Sequence, residues 1–189
     1  MKTTILRAIL VPAFLLFLAA CDSDKIDLSL PPKTEEGRNT LGFLSNGHVW
    51  VNYGQICNWG KCDENVVAAR RHTYPDGSHA VIIEAQYNDP QKGQSQTLQI
   101  NAQNIKGPGT YLLDASQGDA MNLITDWSKN EFYQLSPNSR AKLVITRLDT
   151  VQHIISGEFS GTVYLYPHAS AALEITDGRF DTKLTYSQP

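Results

Sequence analysis

The sequence predicts an all-β domain, built either as an antiparallel β-sandwich or as a partly open β-barrel of about nine or ten strands. Beyond residue 40, apolar side chains recur at every second position, which is the period of a strand and not of a helix. Glycine, proline, asparagine and aspartate residues separate these alternating runs at short intervals. Both observations predict short antiparallel strands, and neither decides between a sandwich and a barrel.

The clearest strand lies within residues 152–166. Ile155, Phe159 and Val163 fall on one face of this run, and polar residues such as Thr162 fall on the other. One apolar face and one polar face are typical of a half-buried antiparallel strand. Further strands are predicted within 49–53, 66–74, 79–88, 98–102, 110–113, 141–148 and 172–184.

Turn signals join these runs into hairpins. Asn46-Gly47 precedes the first run, Pro75-Asp76-Gly77 separates the second from the third, and Asp149-Thr150 separates two later ones. Asp177-Gly178 is either a hairpin turn or a bulge inside one strand, and the sequence leaves both open. The segment 119–130 is compatible with a short helix as well as with a strand.

The N-terminus carries the three parts of an export signal. A basic head with Lys2 and Arg7 precedes an apolar stretch, which ends in Leu18-Ala19-Ala20-Cys21. This ending resembles the lipobox of bacterial lipoproteins. The resemblance implies a signal peptide at 1–20 and a lipid, palmitate included, on Cys21 that anchors the chain to a membrane. A transmembrane helix is the alternative, but 13 apolar residues fall short of the roughly 20 that a span needs.

Removal of residues 1–20 leaves 14 basic and 19 acidic residues, a formal net charge of −5. An acidic domain argues against nucleic acid as a partner. Residues 21–40 are polar and contain Pro31-Pro32, so we expect a lipidated N-terminus followed by a flexible tether. Residues 41–189 are then expected to form a single β domain.

Cys57 and Cys62 remain after Cys21 is assigned to lipid. An even pair in an exported protein predicts a disulfide, and the Asn and Gly residues between them favour a tight loop. A metal site that combines both thiolates with His72 and His79 is the alternative.

Trp59 lies inside this loop and has two interpretations. It is either a lid that folds back over the β core or a rigidly presented platform for a ligand. The platform interpretation makes Trp59 the candidate ligand-binding residue.

The search for catalytic motifs is mostly negative. The sequence has no Gly-x-Ser-x-Gly elbow, phosphate loop or His-Glu-x-x-His motif, and we predict no catalytic residue, no cofactor and no metal. Asp114, Asp119 and Asn122 are a weak alternative as calcium ligands. A hydrolase would need two carboxylates at a defined separation, and the sequence identifies no such pair.

Several motifs together carry a resemblance. They are Leu30-Pro31-Pro32-x-Thr34-x-x-Gly37-x-Asn39-Thr40-x-Gly42, Asn46-Gly47-x-x-Trp50-Val51, Gly109-Thr110-Tyr111-x-Leu113, Ile155-Ser156-Gly157-x-Phe159 and Ile175-Thr176-Asp177-Gly178-Arg179-Phe180-Asp181. The chain resembles an uncharacterised lipoprotein family of Bacteroidota, a domain of unknown function, over nearly all of its mature length. The resemblance transfers no catalytic residue. It implies that Asp22-Ser23-Asp24 acts as a surface-export signal, which favours the outer membrane and its outer face.

The expected function is therefore that of a non-enzymatic, lipid-anchored binding or interaction module of the cell envelope, with an envelope protein or a glycan as its partner. A glycan-binding accessory lipoprotein that uses Trp59 is the first alternative. A hydrolase with an unrecognised carboxylate site is the second.

Overall fold

The computed structural model describes residues 28–126, 131–167 and 169–187. Within these ranges nearly all regular structure is β, which confirms the all-β class. A single 3-10 turn, Ala115–Gln117, is the helical exception. In this part of the chain, no helix is long and apolar enough to cross a membrane. The predicted signal peptide and Cys21 lie outside the described residues.

The strands are more numerous than predicted, because short pairs flank the long ones. Their bounds are β1 (Thr40–Ser45), β2 (His48–Val51), β3 (Gln55–Asn58), β4 (Lys61–Glu64), β5 (Val67–Thr73), β6 (His79–Asp89), β7 (Gln94–Gln103), β8 (Gly109–Leu113), β9 (Ala120–Asp126), β10 (Glu131–Gln134), β11 (Ala141–Asp149), β12 (Ile154–Tyr166) and β13 (Ala172–Ser187).

The strands form two sheets that are joined at both sides. Sheet I has the order β2-β1-β13-β12-β11-β8, and sheet II has the order β5-β6-β7-β9-β10. The end of β12 pairs with β10, and the end of β13 pairs with β5. Seven strands therefore close into a ring, while β1, β2, β8 and β11 extend sheet I beyond it. This arrangement combines the sandwich and the partly open barrel.

One pairing departs from the antiparallel prediction. β13 runs parallel to β5 between Leu184–Ser187 and Ala69–His72. β13 is long enough to pass beyond its partners in sheet I, and its last residues reach sheet II in the direction that β5 already follows. The parallel pair is one of the two corners that join the sheets, and the pairing of β12 with β10 is the other.

The interior is filled by side chains from both sheets. Leu41 and Phe43 of β1, Ile83 of β6 and Ile100 of β7 are each at most 1% exposed. Trp50 joins this core, with its ring 4.8 Å from that of Phe43 and its Nε1 donating to Gln96 Oε1 at 2.8 Å. The apolar face of the predicted alternation is therefore the core face.

Asp177-Gly178 is a bulge inside one strand. Gly42 and Leu44 of β1 lie opposite Arg179 and Thr176, so β13 carries one extra residue here. Asp177 has a φ of +51°, the left-handed conformation. A Cβ at Gly178 would lie 2.4 Å from the Phe159 carbonyl oxygen, so a larger residue does not fit.

The structure decides three local predictions. The hairpins at Asn46-Gly47 and Pro75-Asp76-Gly77 are confirmed. The alternative of a helix within 119–130 is wrong for the described residues, because Ala120–Asp126 is strand β9. Met121 and Leu123 are buried there and alternate with polar Asn122, which is the strand period.

The tether prediction is wrong for residues 28–40, which we call the N-terminal strap. The strap lies on the outer face of sheet I, where the Asp181 carboxylate accepts hydrogen bonds from Thr34 Oγ1 and from the N–H groups of Glu36, Gly37 and Arg38. The opening and closing family-like motifs thus meet at Asp181. Although the strap is polar in composition, its hydrogen bonds to the buried Asp181 carboxylate hold it against sheet I.

Candidate functional site: an amide-rich face beside the disulfide hairpin

The outer face of sheet II carries a polar surface that borders the hairpin of β3 and β4. Along β7, Leu98 and Ile100 point into the core, so Thr97 and Gln99 point outward. The register places outward residues of neighbouring strands side by side. We call this surface the amide face and define it as Glu84, Gln86, Thr97, Gln99, Asn122, Ile124 and Gln134.

One row of the amide face consists of Glu84 and three side-chain amides, and the three amides have no internal partner among the described residues. Glu84 lies opposite Gln99, which lies opposite Asn122, which in turn lies opposite Gln134. Among the described residues, the side-chain amides of Gln99, Asn122 and Gln134 make no hydrogen bond. Each amide offers two N–H donors and a carbonyl acceptor. The row therefore presents unused hydrogen-bonding capacity on a rigid sheet.

The charge on this face is balanced. Glu84 Oε2 lies 3.7 Å from Arg70 Nη2, and Glu84 Oε1 accepts from Gln86 Nε2 at 3.2 Å. The remaining members of the amide face are uncharged. The face thus fits a neutral polar ligand better than an anion or a cation.

The sequence CNWGKC forms a disulfide hairpin, as predicted. Cys57 of β3 and Cys62 of β4 are direct cross-strand partners and are bonded to each other. Trp59 and Gly60 form the turn, with φ values of +51° and +82°. Trp59 is fully exposed, at 106%. The lid hypothesis for Trp59 is therefore wrong, whereas its role as a platform stays a prediction.

Backbone contacts fix the hairpin beside strand β6. Tyr53 N–H donates to the Gln86 carbonyl at 3.1 Å, and Asn88 N–H donates to the Tyr53 carbonyl at 2.8 Å. Gly54 follows with a φ of +87°, and a Cβ there would lie 1.8 Å from the Asn88 carbonyl oxygen. Only glycine permits this approach, so the position of the hairpin depends on Gly54.

A groove of about 540 Å³ lies between the hairpin and the amide face. The hairpin supplies Ile56 and Cys57, and the sheet supplies Glu84, Gln86, Asn88, Ser95, Thr97, Gln99 and Ile124. Amide, hydroxyl and carboxylate groups thus converge with two apolar side chains. Such a mixture of convergent polar groups and apolar surface is typical of a small-ligand site.

The metal alternatives do not fit the geometry. Both cysteine sulfurs are in the disulfide, so they are not thiolate ligands with His72 and His79. Asp119 Oδ1 and Oδ2 accept from the N–H groups of Gln103 and Asp114, and Asp114 pairs with Arg140 at 2.8 Å. These oxygens close a loop and do not converge on a cation. Within the described ranges, no group of three His, Cys, Asp or Glu residues is arranged to hold a metal.

Asp181 and Asp149, two carboxyl groups with a lowered pKa, stabilise the fold. Burial has the largest single effect on the pKa of Asp181 and raises it. Hydrogen bonds from Thr34, Glu36, Gly37 and Ser156 together lower the pKa by more, and hold it at about 2. Hydrogen bonds from the Gln152 N–H and the Arg147 side chain similarly lower the pKa of Asp149 to about 2. A lowered pKa is the opposite of what a general acid requires.

A second cavity, of about 210 Å³, lies between the strap and sheet I. Glu35 and Glu158 both line it, but Glu158 Oε2 is paired with Lys33 Nζ at 2.8 Å. The cavity brings together strap and strand residues, and Lys33 and Arg179 also line it, so its two acids lie among basic side chains. The hydrolase hypothesis stays a prediction without an identified catalytic pair.

Sequence reasoning identified Trp59 and the disulfide but missed the amide row. A signal for it is present at Gln99, Asn101 and Gln103, whose amide side chains occupy alternate outward positions of β7. The contribution of Asn122 and Gln134 depends on strand order, which the alternation does not encode.

No protein-family model, curated protein or solved structure matches the chain. The resemblance to a Bacteroidota lipoprotein family therefore stays a prediction.

Proposed function

We propose that the protein is a lipid-anchored envelope lipoprotein whose β domain binds uncharged carbohydrate on the amide face, without catalysing a reaction. The observation that carries this proposal is the row of Gln99, Asn122 and Gln134, whose amides have no side-chain hydrogen bond among the described residues. The row lies next to a groove bounded by the disulfide hairpin. This proposal narrows the expected binding module to its glycan-binding form.

The chemistry of the face matches that of a sugar. A hydroxyl group both donates and accepts, and a side-chain amide does the same at fixed positions. Because these amides stand on strands, binding orders few side chains and costs little conformational entropy. The ion pair between Glu84 and Arg70 leaves no unpaired charge in the groove to favour an ionic ligand.

Trp59 does not line the groove, but it stands at the turn of the hairpin whose Ile56 and Cys57 do, and we assign it the apolar part of the proposed site. Its indole ring is fully exposed on a hairpin that the disulfide closes. Indole rings offer large contact area with few rotatable bonds, and the C–H face of a sugar ring packs against such a surface.

The test is a glycan array probed with the full chain in detergent, alongside Trp59→Ala, Gln99→Ala and the control Leu112→Ala. Leu112 is 68% exposed on edge strand β8, away from the amide face. We expect neutral glycans to be retained by the parent and the control, and to be lost or weakened in the two site variants. Retention by all four chains, or by none, would contradict the proposal.

The anchor is tested separately. We propose lipid attachment at Cys21 and placement in the outer membrane, with the domain on its outer face. Labelled palmitate should enter the parent and not Cys21→Ser, and equal labelling would contradict the anchor. Protease treatment of intact cells should degrade the domain if it is exposed at the surface, and protection would contradict that placement.

A further inference from the structure

We propose that the binding surface continues across sheet II to a second, aromatic subsite formed by Phe132 and Tyr166, so that the ligand is a linear, uncharged oligosaccharide lying across the strands. This inference rests on the proposed function. It adds the shape and length of the ligand to the site beside the hairpin.

The register carries the surface from the groove to the aromatic pair without a break. Gln86 lies opposite Thr97, and Thr97 lies opposite Ile124, which lines the groove. Ile124 lies opposite Phe132, and Phe132 lies opposite Tyr166. Directly opposed residues of an antiparallel pair share a face. All five side chains therefore belong to the outer face of sheet II.

Phe132 and Tyr166 form a ready platform. Their ring centroids are 4.7 Å apart and their planes are inclined by 20°, so the two rings stack. Tyr166 is 44% exposed although it is a large aromatic side chain. Stacking on Phe132 limits the freedom of Tyr166, which lowers the entropic cost of using its ring for a ligand.

A parallel row supplies hydrogen-bonding groups over the same span. Glu84, Gln99, Asn122 and Gln134 continue to Tyr164, which lies opposite Gln134 on β12. Polar groups thus run beside the row that ends in the aromatic pair. Two adjacent rows, one mostly polar and one increasingly apolar, match the two edges of a sugar chain, which carry hydroxyl groups and C–H faces.

The distance across the strands sets the length of the ligand. From β6 to β12 there are four inter-strand steps of about 4.8 Å each, which gives about 19 Å. A monosaccharide cannot contact both ends of such a surface. A chain of several sugars can, and its affinity should rise with length until both ends are occupied.

The experiment is isothermal titration of the full chain in detergent with oligosaccharides of increasing length. The series run from cellobiose, maltose and mannobiose to the corresponding hexasaccharides. Tyr166→Ala is compared with Tyr186→Ala, a control of matched exposure at 43% on the end of β13. Circular dichroism and a melting curve of each variant establish that it folds.

We expect the affinity of the parent to rise with chain length in at least one series. Tyr166→Ala should weaken the hexasaccharide by about ten-fold, as truncation of a central aromatic contact does, and leave the disaccharide unchanged. Tyr186→Ala should match the parent at every length. An equal loss for short and long chains, or no loss for either, would overturn the inference and leave the proposed function standing. Failure of all three series to bind would also overturn it, whereas an empty glycan array would overturn the proposed function itself.

Discussion

The two outer faces of the domain come from the same alternating pattern, yet one is covered and the other is open. On sheet I the N-terminal strap occupies the surface, and its polar groups pair with Asp181, Glu158 and Arg147. On sheet II the amides of Gln99 and Asn122 have no side-chain partner among the described residues. Outward polar residues therefore stabilise the fold where the chain folds back on them, and are available to a ligand where it does not.

The covered face is also the one that carries charge. Lys33 pairs with Glu158 at 2.8 Å, and Arg147 pairs with Asp149 at 2.8 Å. On the amide face as defined, Glu84 lies beside Arg70 and the other members are uncharged. Charged groups on the covered face fix the strap, and neutral groups on the open face suit an uncharged ligand.

The largest predicted effect is on the covered face. Asp181→Ala should lower the free energy of unfolding by at least about 3 kcal/mol, because buried donors on Gly37 and Ser156 lose their acceptor. Urea denaturation measures this loss. Glu174→Ala, at an exposed site on the same strand, is the control and should change stability by less than about 0.5 kcal/mol. Equal effects would contradict the role given to Asp181.

Acid should act through the same group. The pKa of Asp181 is about 2 in the folded chain against an ordinary value of 3.8. Because the folded pKa is the lower one, its stabilisation is complete above about pH 4 and is lost as the pH falls towards 2, a loss of about 2 kcal/mol. Asp181→Asn should lose less stability in acid, because residue 181 no longer titrates. Some loss should remain, because Asp149 still titrates. Identical pH profiles would contradict the assignment.

The hairpin should matter more for binding than for stability. Replacing Cys57 and Cys62 together by serine opens a short loop, and the expected loss of stability is about 1–2 kcal/mol. Carbohydrate binding should fall, because Ile56 and Cys57 line the groove. A mild reductant should have the same effect on the parent and none on the double variant. Unchanged binding in both experiments would separate the hairpin from the site.

The smallest effect on stability is expected on the open face. Gln99→Ala should change the free energy of unfolding by less than about 0.5 kcal/mol, because the amide has no internal partner to lose. Its affinity for a neutral glycan should nevertheless fall by about ten-fold. Gln117→Ala, at an exposed site outside the face, should leave both quantities unchanged. A large loss of stability in Gln99→Ala would show that this side chain stabilises the fold, as Asp181 does, and would contradict its assignment to a ligand site.

The alternation of apolar and polar residues, together with the turn-forming residues, predicts most of the fold. The strand around Ile155, the hairpin at Asn46-Gly47 and the disulfide at Cys57 and Cys62 follow from local sequence. The bulge at Asp177-Gly178 did not, because a two-residue turn and a bulge share the same residue preference. The contact between Gly178 and the Phe159 carbonyl, which decides it, is distant in sequence.

The strap and the amide face were missed for a related reason. Thr34 and Asp181 are separated by 147 residues, so the polar composition of 21–40 alone predicts a tether and not the contact. Asn122 and Gln134 join Gln99 through strand order alone. Local sequence predicts which face a side chain takes, but not which segment covers that face.

The most direct test of the comparison is a nuclear magnetic resonance titration of the full chain with a neutral oligosaccharide retained on the array. We predict shifts of backbone and side-chain amide signals at Gln86, Gln99 and Asn122, with the signals of Gly37 and Arg179 unchanged. Shifts confined to the strap face, or no shift on either face at saturating ligand, would contradict the account.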